Sequence, residues 1–79
     1  MYTATITDAT RFGLALQQAR MAAGMSQRQL AERIGVSQRY VWELESGKDF
    51  PAIARLIDAL TATGATITVA VPEGLTDAS

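Results

Sequence analysis

Cysteine and histidine are both missing from this 79-residue chain. Without them there are no disulfide cross-links and no Cys/His metal sites. Histidine, the commonest general acid–base group, and the cysteine nucleophile are excluded with them. The phosphate-cradling loops G-x-x-x-x-G-K-[S/T] and G-x-G-x-x-G do not occur either. The acidic residues are scattered, with no pairing that suggests a catalytic pocket. No apolar run approaches the ~18–20 residues needed to cross a bilayer. Residues 1–10 have neither the basic nor the apolar region of a signal peptide. Enzyme, metalloprotein, cofactor protein and membrane protein are all disfavoured, and a soluble cytoplasmic protein is expected.

What is present fits one small domain. A chain of this length buries only about 60–65% of the surface its unfolded form exposes. With disulfides and metals excluded, self-association is the remaining source of stability, so a homodimer is expected. The net charge of −1 is unevenly distributed. Arg11, Arg20, Arg28, Arg33, Arg39 and Lys48 outnumber Glu32, Glu43 and Glu45 in the middle of the chain. Beyond Lys48, Arg55 stands against Asp49, Asp58, Glu73 and Asp77. A basic middle beside an acidic end suggests a surface that faces a polyanion.

Residues 2–7 alternate, with Tyr2, Ala4 and Ile6 on one side and threonines on the other, which predicts a half-buried strand. Asp8 then caps a helix to about Ala23, with Phe12, Leu16, Ala19 and Ala23 along one stripe and Gly24 as its stop. Ser26 with Gln29 forms a capping box, stapled by Met25 and Leu30, and that helix stops at Gly35. The pattern recurs at once: Val36 and Val41 flank Ser37, and a helix follows over Gln38–Glu45. Asp49-Phe50-Pro51 opens a fourth helix whose core face carries Ile53, Leu56, Ile57 and Leu60. Alternation returns over residues 66–71, with Ile67, Val69 and Val71 on one face, and Pro72 ends it.

Two short helices joined through Gly35-Val36-Ser37 make a helix-turn-helix unit. Ala31 permits a close crossing, and Leu30, Ile34, Val36, Val41 and Leu44 are expected to lock the pair together. The N-terminus of the second helix would then project toward the major groove of DNA. The run from Ser26 to Val41, with Glu45-Ser46-Gly47-Lys48 after it, resembles the phage-repressor (Cro/CI, XRE) helix-turn-helix family. The short length, the fourth helix and the strand after it resemble more narrowly the HipB-type antitoxins. The resemblance implies a mainly α, lambda-repressor-like bundle of four helices with a short C-terminal β-strand used in dimerisation, to which the alternating residues 2–7 are a candidate N-terminal addition. It implies residues 1–72 as a helix-turn-helix domain with its dimerising strand, and 73–79 as a flexible tail.

For function, the resemblance implies a repressor that binds a palindromic operator in double-stranded DNA as a homodimer. It also implies a type II antitoxin that regulates its own operon, with a HipA-like kinase toxin as partner. The protein would be nucleoid-associated, with no cofactor. A stand-alone regulator without a toxin and a module that mainly binds protein are the competing readings.

Gln38 and Arg39 lie in the first turn of the second helix, where Gln suits adenine and Arg suits guanine through bidentate pairs. Glu43, one turn beyond Arg39, can accept from cytosine or orient Arg39 as an i,i+4 pair, and the second role is preferred. The family's pattern puts a phosphate contact at Gln27, using its side chain and the helix N-terminus. Arg28, Ser37, Tyr40 and Lys48 are the other candidate phosphate contacts. Arg20 and Glu45 match positions that form an internal ion pair in this family. Trp42 falls beside Val41 and Leu44 and is expected to pack against a neighbouring element. Thr66, Ile67, Thr68, Val69, Ala70 and Val71 form a strand that needs a partner. That partner is either its symmetry mate or residues 2–7, and both arrangements can coexist in a dimer sheet.

Overall fold

Caps determine where the helices begin in the computed structural model, which describes residues 1–48 and 50–73. The chain runs β1 (Tyr2–Ile6), α1 (Ala9–Ala22), α2 (Gln27–Ile34), α3 (Gln38–Glu45), α4 (Pro51–Ala62) and β2 (Ile67–Val71). Asp8 starts α1 by accepting from the Arg11 backbone N–H at 2.8 Å. Ser26 and Gln29 cap α2 reciprocally, at 3.0 and 2.8 Å. Ser37 accepts from the Tyr40 N–H at 3.0 Å, but a tyrosine cannot return the bond, so α3 has half a capping box. Each such cap contributes about 1 kcal/mol. No side chain caps α4, which begins at Pro51 after an extended Phe50. Asp49, expected at that opening, and the expected tail from residue 74 onward lie outside the described residues.

The turn between α2 and α3 depends on Gly35, at φ 77° and ψ 34°, where a Cβ would be penalised. Ala31 and Val41 are buried between the two helices, and Val41 is fully enclosed. A second close approach sets α1 against α3. A Cβ on Gly13 would stand 2.4 Å from the Leu44 carbonyl oxygen and 2.6 Å from that of Glu45. No larger residue fits there, so α1 reaches the C-terminal end of α3.

The opposite end of the molecule is apolar. β1 and β2 pair antiparallel within the chain, Tyr2 opposite Val71, Ala4 opposite Val69 and Ile6 opposite Ile67. Of the partners left open by the sequence, β2 therefore has β1 of its own chain. The inward residues pack with Ala15 and Ile57 into one cluster, to which Ile53 also contributes. The result is a mainly helical helix-turn-helix bundle of four helices with a short two-stranded sheet. Among the described residues, no helix is long and apolar enough to cross a membrane.

Several expected core positions are not in the core. On α4 the burial rises around the helix from Leu56, 59% exposed, through Leu60 and Ile53 to Ile57 at 2%. At ~100° per residue these four side chains span one broad stripe, and the core takes up only its Ile57 edge. In α1 the buried positions are Gly13 and Ala15, whereas Phe12 and Ala23 are exposed. The reason is that α1 is pressed from two directions, by α3 at Gly13 and by the sheet cluster at Ala15. Ile34 is exposed at the end of α2.

Candidate nucleic-acid interface

The start of α3 is an open polar surface. Gln38 and Arg39 occupy its first turn, both exposed, with 80% of the Arg39 side chain open to solvent. Ser37 lies just before them as the cap. Gln27, Gln38, Arg39 and Trp42 line a shallow groove of about 420 Å³. Trp42 is 53% exposed, more open than its place beside Val41 and Leu44 suggests.

Behind this surface a part-buried ionic latch sets the direction of α3. The Arg20 guanidinium donates through Nε to one carboxylate oxygen of Glu45 and through Nη2 to the other, the latter at 3.1 Å. Its Nη1 donates to the Met25 carbonyl at 2.8 Å. The Gln27 amide donates to Glu45 Oε1 at 3.0 Å. The end of α1, the start of α2 and the last turn of α3 thus meet at one carboxylate. Only 12% of the Arg20 side chain and 4% of that of Glu45 reach solvent. Burial pushes the Glu45 carboxyl up, but hydrogen bonds from Arg20 and Gln27 outweigh it and hold the group below the usual carboxylate range. Charge-assisted, bidentate bonds of this kind fix orientation as well as distance.

A second cluster lies on the outer face of α3. Glu43 Oε2 accepts from Lys48 Nζ at 2.7 Å and faces Arg39 Nε at 3.6 Å. The Lys48 hydrogen bond lowers the Glu43 pKa against a smaller desolvation effect, helped by the charges of Lys48 and Arg39. The contact between Glu43 and Lys48 has no helical period. It arises because the chain folds back after α3, with the Lys48 N–H on the Glu43 carbonyl at 3.2 Å. Sequence spacing showed the Arg39 pairing and missed Lys48. The signal available was the Ser46-Gly47 helix stop, which returns the next residue beneath the last turn.

The other candidates are more dispersed. The Gln27 side-chain amide is turned inward onto Glu45, which sequence reasoning did not foresee. Arg28 is exposed and lies 3.7 Å from Glu32. Tyr40 is exposed beside Phe50, with ring centroids 5.6 Å apart. In β2, Ile67 and Val69 pack against the cluster and Val71 is buried, while Thr68 and Ala70 are exposed and Thr66 precedes the strand.

Two helices crossing at a glycine turn, supported by a third, define the helix-turn-helix class of DNA-binding domain. The chain belongs to the helix-turn-helix domain family, whose model matches residues 11–69. That match runs from α1 into β2 and leaves β1 outside it. No curated protein and no solved structure matches the chain.

Proposed function

We propose that this protein is a sequence-specific transcriptional repressor that binds a palindromic operator as a homodimer. The observation that carries the reading is the exposure of Gln38 and Arg39 on the first turn of a helix held by the Arg20–Glu45–Gln27 latch. A major groove about 12 Å wide admits such a helix, with Gln directed at adenine and Arg at guanine. Lys48, Arg28, Tyr40, Ser37 and the N-terminus of α2 supply phosphate contacts and the salt-sensitive part of the affinity. Gln27 contributes mainly through that N-terminus, because its amide is engaged with Glu45.

Two features support the homodimer. Leu56 and Leu60 leave apolar surface on α4 open, and β2 is bonded to β1 along one edge. Binding two half-sites on one face of the duplex requires the dimer to hold its two α3 helices about 34 Å apart, one turn of DNA. The antitoxin reading, with a HipA-like kinase as partner, rests on the resemblance of the architecture to HipB-type proteins. Co-purification with a kinase-like protein encoded beside it tests that part, and failure to form a stable complex leaves a stand-alone regulator.

A gel-shift assay against the protein's own upstream DNA tests the central reading, with Gln38→Ala/Arg39→Ala as control. A specific shift that disappears in the control supports α3 as the reading element. No shift at low salt overturns it and favours a module that binds protein.

A further inference from the structure

We propose that Glu43 is a specificity-determining positioning residue, restraining Arg39 and Lys48 so that neither binds DNA of every sequence equally. The proposal rests on the DNA-binding reading above and deepens it. Of the two carboxylates on α3, Glu45 is consumed by the internal latch, whereas Glu43 lies between two cations on the outer face. Both cations converge on the same oxygen, Oε2. The carboxylate is well covered, at 14% exposure, while Arg39 and Lys48 remain 80% and 54% open. The anchor is therefore more covered than its two partners, which face outward.

The chemistry of the duplex makes this arrangement selective. A phosphate attracts Lys48 at any sequence, but it must compete with Glu43 at 2.7 Å. The three side chains carry a net charge of +1 where two unrestrained cations would carry +2. Non-specific affinity grows with each phosphate neutralised, so the carboxylate lowers it for every sequence. Guanine offers Arg39 two acceptors at once, which compensates for weakening a contact of 3.6 Å. A misplaced phosphate, or an acceptor such as thymine O4, repels the carboxylate and offers Arg39 no bidentate pair. The cost of approach thus falls on all sequences, and the compensation falls only where the bases match.

Glu43→Gln tests this with little change of shape, and circular dichroism melting checks that the variant folds. Binding is measured to a duplex from the protein's own upstream region and to a scrambled duplex of equal length, across a salt series. The expected result is roughly five- to tenfold tighter binding to scrambled DNA near 0.1 M salt, with the salt slope steeper by about one. Discrimination between the duplexes falls accordingly. In a Lys48→Ala background the same substitution should have a smaller effect, because one of the two restrained cations is gone. Equal scrambled-DNA affinity and slope for wild type and variant overturns the restraint while leaving DNA reading intact. Weaker binding to the upstream duplex alone also overturns it and makes Glu43 a direct base contact. If no duplex binds either protein at low salt, the DNA-binding reading fails and the restraint fails with it.

Discussion

Around α3 the buried contacts are directional, whereas beneath the sheet they are apolar. At the helix-turn-helix end, Arg20, Gln27 and Glu45 form a hydrogen-bonded network around a small core of Ala31 and Val41. At the other end, Ile6, Ala15 and Ile57 pack without a polar partner, and the stripe on α4 continues uncovered to Leu56. Apolar burial is non-directional and scales with area, so it can hold an element without fixing its rotation. A bidentate ion pair does fix rotation. Under the proposed repressor reading, the end that aims side chains at base edges is the end held by such bonds. The end with surplus apolar surface is the one suited to a second copy.

The largest expected break in this comparison comes from Arg20→Ala. It strands a carboxylate whose side chain is 4% exposed in a part-buried pair, and the loss should reach about 3 kcal/mol, the low end of the range for fully buried pairs. Urea unfolding should register that loss, and specific DNA binding should disappear with it. A loss below about 1 kcal/mol would place the latch among ordinary surface ion pairs.

The apolar end gives a sharper contrast at two neighbouring positions. Ile57→Ala should cost about 2–5 kcal/mol through lost burial and the cavity left behind. Leu56→Ala should stay within about 0.5 kcal/mol in the monomer. If Leu56→Ala proves costly and its effect depends on protein concentration, a second copy covers that side of α4.

Gly35→Ala is expected to cost about 1–2 kcal/mol from backbone conformation alone, since no atom lies within 4 Å of an added Cβ. The melting temperature should fall by roughly 4–8 °C for each kcal/mol. An unchanged melting temperature would mean that the turn relaxes elsewhere.

The smallest effect near neutral pH is the titration of the latch. Folding lowers the Glu45 pKa, so its contribution is complete above the unfolded-chain carboxylate range and is lost as pH falls through the folded value. Stability measured down an acid series should therefore decline below the usual carboxylate range, and Glu45→Gln should flatten that decline. Glu43, also lowered, should add to the same decline in stability, and its titration should show in DNA binding as well.

Much of the helix-turn-helix end was legible because its determinants are local. The Ser26–Gln29 box, the Ser37 cap and the Gly35 turn each depend on residues within four positions of one another. The pairing of Arg20 with Glu45 entered through resemblance, since nothing local relates positions 25 apart. Gln27 turning inward and Lys48 returning to Glu43 were not legible, because both depend on how the chain closes around α3.

By itself the sequence determined the helices, their caps, the glycine turn and which residues begin α3. These follow from hydrogen bonds and backbone preferences that act over a single turn. Tertiary structure decided which edge of α4 is buried, which strand pairs with β2, and that Lys48 joins Arg39 at the Glu43 carboxylate. Those outcomes depend on where non-local surfaces meet, and the contact at Gly13, with no room for a Cβ, is what brings α1 to the end of α3.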